Sequence, residues 1–95
     1  MTAKRVVVVG CGSIGRRHAR LLAKRPDVLV ELCDVNPDNV RRSLEETGPR
    51  PTYNTLDHAL SARPDIVVIA TPHALHAEET IQTLQAGAHV LCENR

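Results

Sequence analysis

Arg5-Val6-Val7-Val8-Val9-Gly10-Cys11-Gly12-Ser13-Ile14-Gly15 is the stretch that decides the fold. An unbroken β-branched run suits a strand buried on both faces of a parallel sheet. From Ser13 to Arg25 the pattern reads as a helix, with Ile14, His18, Leu21, Leu22 and Arg25 on its expected inward stripe, and Pro26 stops it. A bare GxGxxG is a weak signal, but here Gly10, Gly12 and Gly15 lie between that strand and that helix, as a phosphate-cradling turn requires. Gly10 permits the tight turn, Gly12 lets the backbone approach a pyrophosphate, and Gly15 lets the helix pack closely on the first strand. First-turn N–H groups near Ser13 and Ile14 then face the phosphates, aided by the helix dipole. The competing reading is a turn that binds nothing.

Outward from this stretch, strands and helices alternate. Val28 to Cys33 is a second strand, and Asn36-Pro37-Asp38 opens a helix that Gly48-Pro49 closes. Pro51 to Asn54 reads as a short third strand, and Thr55 as the N-cap of a short helix to Ala62. Asp65 to Ala70 is a fourth strand and His89 to Cys92 a fifth. Between them Ala74 to Ala86 is a helix, with Leu75, Ile81 and Leu84 expected inward and Gly87 as its cap. Such alternation predicts an α/β fold, a doubly wound parallel sheet of Rossmann type in the order 3-2-1-4-5. Ligands of such sheets bind where the strand order reverses, between strands 1 and 4.

Asp34 ends the second strand, roughly 20 residues past the glycine loop. A carboxylate there accepts from both ribose hydroxyls of an adenosine and repels a 2′-phosphate, which favours NAD over NADP. The alternative is an aspartate that only starts a turn with Asn36-Pro37. Arg41 and Arg42 weigh slightly toward NADP, although a solvated helix face is the commoner place for such a pair.

The totals exclude much else. The chain has 95 residues, 42% hydrophobic and 24% charged, with net charge +1. One domain is expected, spanning residues 1–95. Nothing suggests a nucleic-acid partner, and the lone aromatic, Tyr53, offers no base-stacking surface. No signal peptide or membrane span is visible. Cys11, Cys33 and Cys92 form no CxxC pair and read as reduced thiols in a cytoplasmic protein.

The sequence resembles the amino-terminal domain of the Gfo/Idh/MocA oxidoreductases, the glucose–fructose oxidoreductase and inositol dehydrogenase family. Four segments carry the resemblance, in order and along nearly the whole chain: Gly10 to His18; Asp34-Val35-Asn36-Pro37; Ala70-Thr71-Pro72-His73-Ala74-Leu75-His76; and Gly87 to Glu93. Asn is common in the family where His73 stands. The resemblance implies pyridine-nucleotide dehydrogenases or reductases of sugars and polyols. Cofactor contacts are then expected from Gly10, Gly12, Ser13, Ile14, Gly15, Asp34, Val35, Asn36, Thr71, Pro72, His73 and His76, with Glu93 near the nicotinamide ribose. The family's Glu-Lys-Pro appears as Glu93-Asn94-Arg95. Neutral Asn94 cannot exchange a proton near pH 7, and Arg95 is a poor general acid. No catalytic residue is therefore assigned, and the family's second, substrate-binding domain is expected to be absent.

The remaining histidines and cysteines read blandly. His73 and His76 lack a third neighbour for a metal site. A capping or surface role competes with the cofactor role of His76. His18 is expected in the core, and His58 and His89 carry no visible chemistry. Cys11 sits where a helix N-terminus lowers a thiol's pKa, but small-residue packing explains it better. Cys33 should point away from Asp34, and Cys92 reads as structural.

Three functions compete: an isolated cofactor domain of such an oxidoreductase; a nucleotide-binding module or half of a split enzyme completed by a partner chain; and a scaffold without ligand. An uncovered fifth strand and uncovered apolar surface predict a homodimer or larger assembly.

Overall fold

The computed structural model describes residues 3–92. Five parallel strands form one sheet in the order β3-β2-β1-β4-β5. They are β1 (Lys4–Val9), β2 (Val28–Cys33), β3 (Thr52–Tyr53), β4 (Ile66–Ile69) and β5 (His89–Cys92). The helices are α1 (Ser13–Ala23), α2 (Pro37–Thr47), α3 (Leu56–Ser61) and α4 (His76–Gln85), the last preceded by a single 3₁₀ turn, His73–Leu75. The expected strand order and alternation are therefore observed.

The valines of β1 explain why it is central. It pairs with β2 on one side and β4 on the other, Val7 lying opposite Glu31 and Val67. Alternate valines serve opposite faces. Val6 and Val8 join Val30, Leu32 and Val68 in a core that takes in Cys11 and Ala19, with Leu22 and Leu44 packed against it. Val7 and Val9 join Cys33, Val67 and Ile69 in a second core under Ala59, Leu56 and Leu60 of α3.

One charged side chain interrupts this apolar pattern. Glu31 is 5% exposed. Its carboxylate accepts from Arg5 Nε at 2.9 Å and from the Tyr53 hydroxyl at 2.8 Å. The row joins β1, β2 and β3 across one face. A buried carboxylate is tolerable because it is so partnered.

Two expected inward faces need correction. In α1 the buried residues are Gly15 and Ala19, with Leu22 and Ala23 packed behind them. Leu21 is 54% exposed, Arg25 pairs with Asp27 at the surface, and His18 is half-buried rather than a core residue. The cause is the glycine loop: it brings α1 so close that only the smallest residues fit underneath. Leu75, in the 3₁₀ turn, and Ile81 and Leu84, in α4, are 45%, 55% and 58% exposed, while Thr83 is fully buried. Here polar side chains face the sheet and apolar ones face out. The ends also shift: α1 stops at Ala23 with Lys24 as its cap, and β3 is only Thr52–Tyr53. Thr55 caps α3 as expected, its hydroxyl accepting from His58 N–H at 3.1 Å.

Candidate dinucleotide site

A cleft of about 580 Å³ opens at the carboxyl ends of β1, β2 and β4, a size ordinary for a ligand site. It stands at the point where strand order reverses, between β1 and β4.

The glycine loop forms its floor. Gly10 has φ +93°, and a Cβ there would lie 2.8 Å from the backbone of Ala70 and Thr71. The position thus demands glycine twice, for its dihedral and for the approach of β4. A Cβ on Gly15 would lie 1.7 Å from the Gly10 carbonyl oxygen. The close packing that Gly15 permits is therefore against the loop itself. Gly12 differs: a Cβ would meet nothing within 4 Å. Gly12 is the N-cap of α1 and supplies no side-chain cap. Its open surroundings leave the first-turn N–H groups of α1 accessible, which suits an anion. Gly12, Ser13 and Ile14 all line the cleft.

Asp34 ties this loop to the next turn. Its Oδ2 accepts from Cys11 N–H at 2.7 Å and from Asn39 Nδ2 at 3.2 Å, and its Oδ1 accepts from Asn36 N–H at 2.8 Å. A carboxylate has about four acceptor positions, so one, on Oδ1, remains for a ligand hydroxyl. Asn36 itself does not line the cleft. Its side chain caps α2, accepting from Asp38 N–H at 2.9 Å.

The third wall is the turn after β4. Thr71 and Pro72 line the cleft, whereas His73 and His76 do not. His73 is exposed. The His76 ring sits 2.7 Å from the Thr71 carbonyl oxygen through Nε2 and so holds the turn from behind. Glu93, like Asn94 and Arg95, lies outside the described residues.

Several cleft residues were not singled out from the sequence: Asn39, Asn54, Leu56, Leu75 and Glu79. Asn39 follows Asp34 by little more than a helical turn, a spacing that could have flagged it. The others come together only through folding. No lysine, arginine or histidine lines the cleft among the described residues.

Cys11 is fully buried in the core. Burial pushes its thiol above the ordinary range, so the loop carries no activated nucleophile. Cys33 points into the opposite core, and burial pushes its thiol up to about 12. All three cysteines are free. No group of three or more potential metal ligands occurs among the described residues. Nor does any described helix have the length and apolarity to cross a membrane.

A glycine-rich turn at a helix N-terminus, sharing one cleft with a carboxylate at the end of the next strand, is the layout of a dinucleotide-binding fold. The chain belongs to the Gfo/Idh/MocA oxidoreductase family with an NAD-binding Rossmann fold, whose model matches residues 4–94. It is 33% identical to D-glucoside 3-dehydrogenase of Escherichia coli over 94% of this chain and 26% of that protein. It is 34% identical to inositol 2-dehydrogenase of Gluconacetobacter diazotrophicus, over 90% of this chain and 27% of the relative. Among solved structures it superposes on the WlbA dehydrogenase of Bordetella pertussis in complex with NADH and UDP-GlcNAcA. There the TM-score is 0.86 and the identity 35%, over 97% of this chain and 29% of that one. Scyllo-inositol dehydrogenase of Lactobacillus casei, with NAD(H) and scyllo-inositol, gives a TM-score of 0.87 at 27% identity, over 98% and 28%. The chain spans about a quarter of the length of the curated relatives it matches.

Proposed function

We propose that residues 1–95 hold NAD(H) as the cofactor domain of a sugar or polyol dehydrogenase. The observation that carries this is the uncapped start of α1 at Gly12, set beside the Asp34 carboxylate in one cleft. The pyrophosphate takes the first-turn N–H groups near Ser13 and Ile14. Asp34, already oriented by Cys11, Asn36 and Asn39, takes an adenosine ribose hydroxyl at its remaining acceptor position. Val35, 81% exposed, and Leu75 offer apolar faces to the adenine. Thr71 and Pro72 bound the cleft on the far side. Gly15 contributes by packing, and Asn36, His73 and His76 by shaping the turns. The family resemblance assigns Glu93, outside the described residues, to the nicotinamide ribose.

NAD is favoured over NADP on two grounds. Asp34 repels a 2′-phosphate, and no cation lines the cleft among the described residues. Arg41 is engaged with Asp38 at 3.6 Å and Glu45 at 3.5 Å along α2.

Bound NAD supplies a hydride acceptor, and NADH a hydride donor. The cleft residues bind and orient it, and none of them is placed to move a substrate proton. Turnover therefore requires a substrate-binding domain, whether continuous with this chain or on a partner. We further propose a cytoplasmic location, consistent with three free thiols. Self-association through the exposed Leu21, Ile81, Leu84 and Leu91 follows the same reasoning.

Titrating the chain into NADH and following nicotinamide fluorescence tests the cofactor assignment. A saturable signal is expected, with a higher melting temperature at saturation. The absence of saturation up to millimolar NADH would refute it. A folded chain whose melting temperature NADH leaves unchanged would favour the scaffold reading.

A further inference from the structure

α4 turns a polar side toward the sheet. His76, Glu79 and Thr80 are half-buried and Thr83 is fully buried, while Ile81 and Leu84 face out. A helix covering a parallel sheet ordinarily does the reverse. Two of these polar side chains converge on one residue of the cleft. The Thr71 hydroxyl donates to the Glu79 carboxylate, and His76 Nε2 contacts the Thr71 carbonyl oxygen at 2.7 Å. Glu79 is itself anchored, its backbone carbonyl accepting from the Thr83 hydroxyl at 2.8 Å. Thr71 and Glu79 both line the cleft.

The geometry points to Glu79 as a positioning residue that fixes the polarity of Thr71. This rests on the reading of the cleft as a dinucleotide site. An ionised carboxylate can only accept, so the single hydroxyl proton of Thr71 is committed to Glu79. Thr71 Oγ1 then presents only lone pairs to the cleft. A hydroxyl with a free proton would also suit a phosphate oxygen; this one does not. The wall therefore takes an N–H or O–H donor of the dinucleotide: a ribose hydroxyl, the purine amine or the nicotinamide carboxamide. Phosphate is left to the glycine loop, where the N–H donors are. Asp34 likewise offers only acceptors on the β2 side, so each flank carries an acceptor for the ligand's donors while the floor meets the anion.

Glu78 provides an internal control. It shares the first turn of α4 with Glu79, so both meet the helix dipole, but Glu78 is exposed and outside the cleft. Binding of NADH to the whole chain is compared for the parent, Glu79→Ala, Glu79→Gln, Glu78→Ala, Thr71→Val and the Thr71→Val/Glu79→Ala pair. Glu79→Ala and Thr71→Val are each expected to weaken binding about tenfold, near the worth of one charge-assisted hydrogen bond. The double variant should be no weaker than Thr71→Val alone, because the two act as one unit. Glu79→Gln, whose amide oxygen can still take the hydroxyl proton, should recover most of the loss. Glu78→Ala should stay within about twofold of the parent. Repeating the series with the hypoxanthine analogue of NADH, which lacks the purine amine, identifies the donor. A Glu79→Ala penalty that vanishes assigns the amine, and one that persists assigns a ribose hydroxyl or the nicotinamide carboxamide.

The inference is overturned if the parent binds and Glu79→Ala binds equally well. It is also overturned if Glu78→Ala loses as much as Glu79→Ala, or if the losses at Thr71 and Glu79 simply add. A parent chain that does not bind NADH removes the cofactor reading itself, and this inference with it.

Discussion

The two flanks of the cleft are built by opposite means. On the β1–α1–β2 side the backbone does the shaping. Gly10 and Gly15 leave no room for a Cβ, and the Asp34 carboxylate pulls the Cys11 N–H and the turn before α2 together. On the β4–α4 side a helix holds the turn with side chains, His76 on the carbonyl and Glu79 on the hydroxyl of Thr71. A backbone device tolerates almost no substitution. A side-chain device can be weakened by degrees.

The sharpest break in this contrast should come at Gly15. In Gly15→Ala the new Cβ would fall 1.7 Å from the Gly10 oxygen, so loop and helix must part. We expect a loss of about 3 kcal/mol in stability by denaturant melt and no measurable NADH binding. Next is Asp34→Ala, which leaves the Cys11 N–H without its acceptor. Binding should fall about 100-fold, and stability by about 2 kcal/mol. A Glu79→Ala loss as large as either of these would erase the distinction between the flanks.

A milder effect should appear in alkali. The Cys33 thiol is raised from an ordinary 9.0 to about 12, chiefly by burial. A group whose pKa is raised on folding contributes stability that is present below its unfolded value and lost as pH climbs to the folded one. Melting temperature should therefore decline from pH 9 toward 12. Cys33→Ser, with no thiol to ionise, should flatten that decline; an unchanged slope would contradict the burial argument.

The smallest effects separate the two sides of α4. Thr83 is fully buried, so Thr83→Leu overpacks and should cost about 1.5 kcal/mol. Leu84, 58% exposed, should tolerate Ala within about 0.5 kcal/mol. Equal costs would restore the apolar stripe as the inward one.

The same contrast explains what could be read from the sequence. The glycine loop was legible because its residue types are dictated by local backbone geometry, and Asp34 because its place at the end of β2 follows from strand periodicity. Strand order followed from alternation and handedness. α4 misled because Ile81 and Leu84, with Leu75 in the turn before them, make an apolar stripe as regular as any core-facing one. Nothing local says that His76 and Glu79 share a partner in the turn after β4, or that Thr83 is fully buried. Glu31 was equally hidden: its burial makes sense only once Arg5 and Tyr53 are known to flank it. Glu79 and Asn54 joined the cleft only when distant loops met.

The most direct test of the central claim is residue-resolved. Backbone amide resonances of the isotopically labelled chain should shift saturably with NADH at Gly12, Ser13 and Ile14, at Asp34, Val35, Asn36, Asp38 and Asn39, and at Thr71. Leu21 and Leu91, on the other groove of the sheet, should stay still. Shifts confined to Leu21 and Leu91, or no saturable shift up to millimolar NADH, would contradict the account.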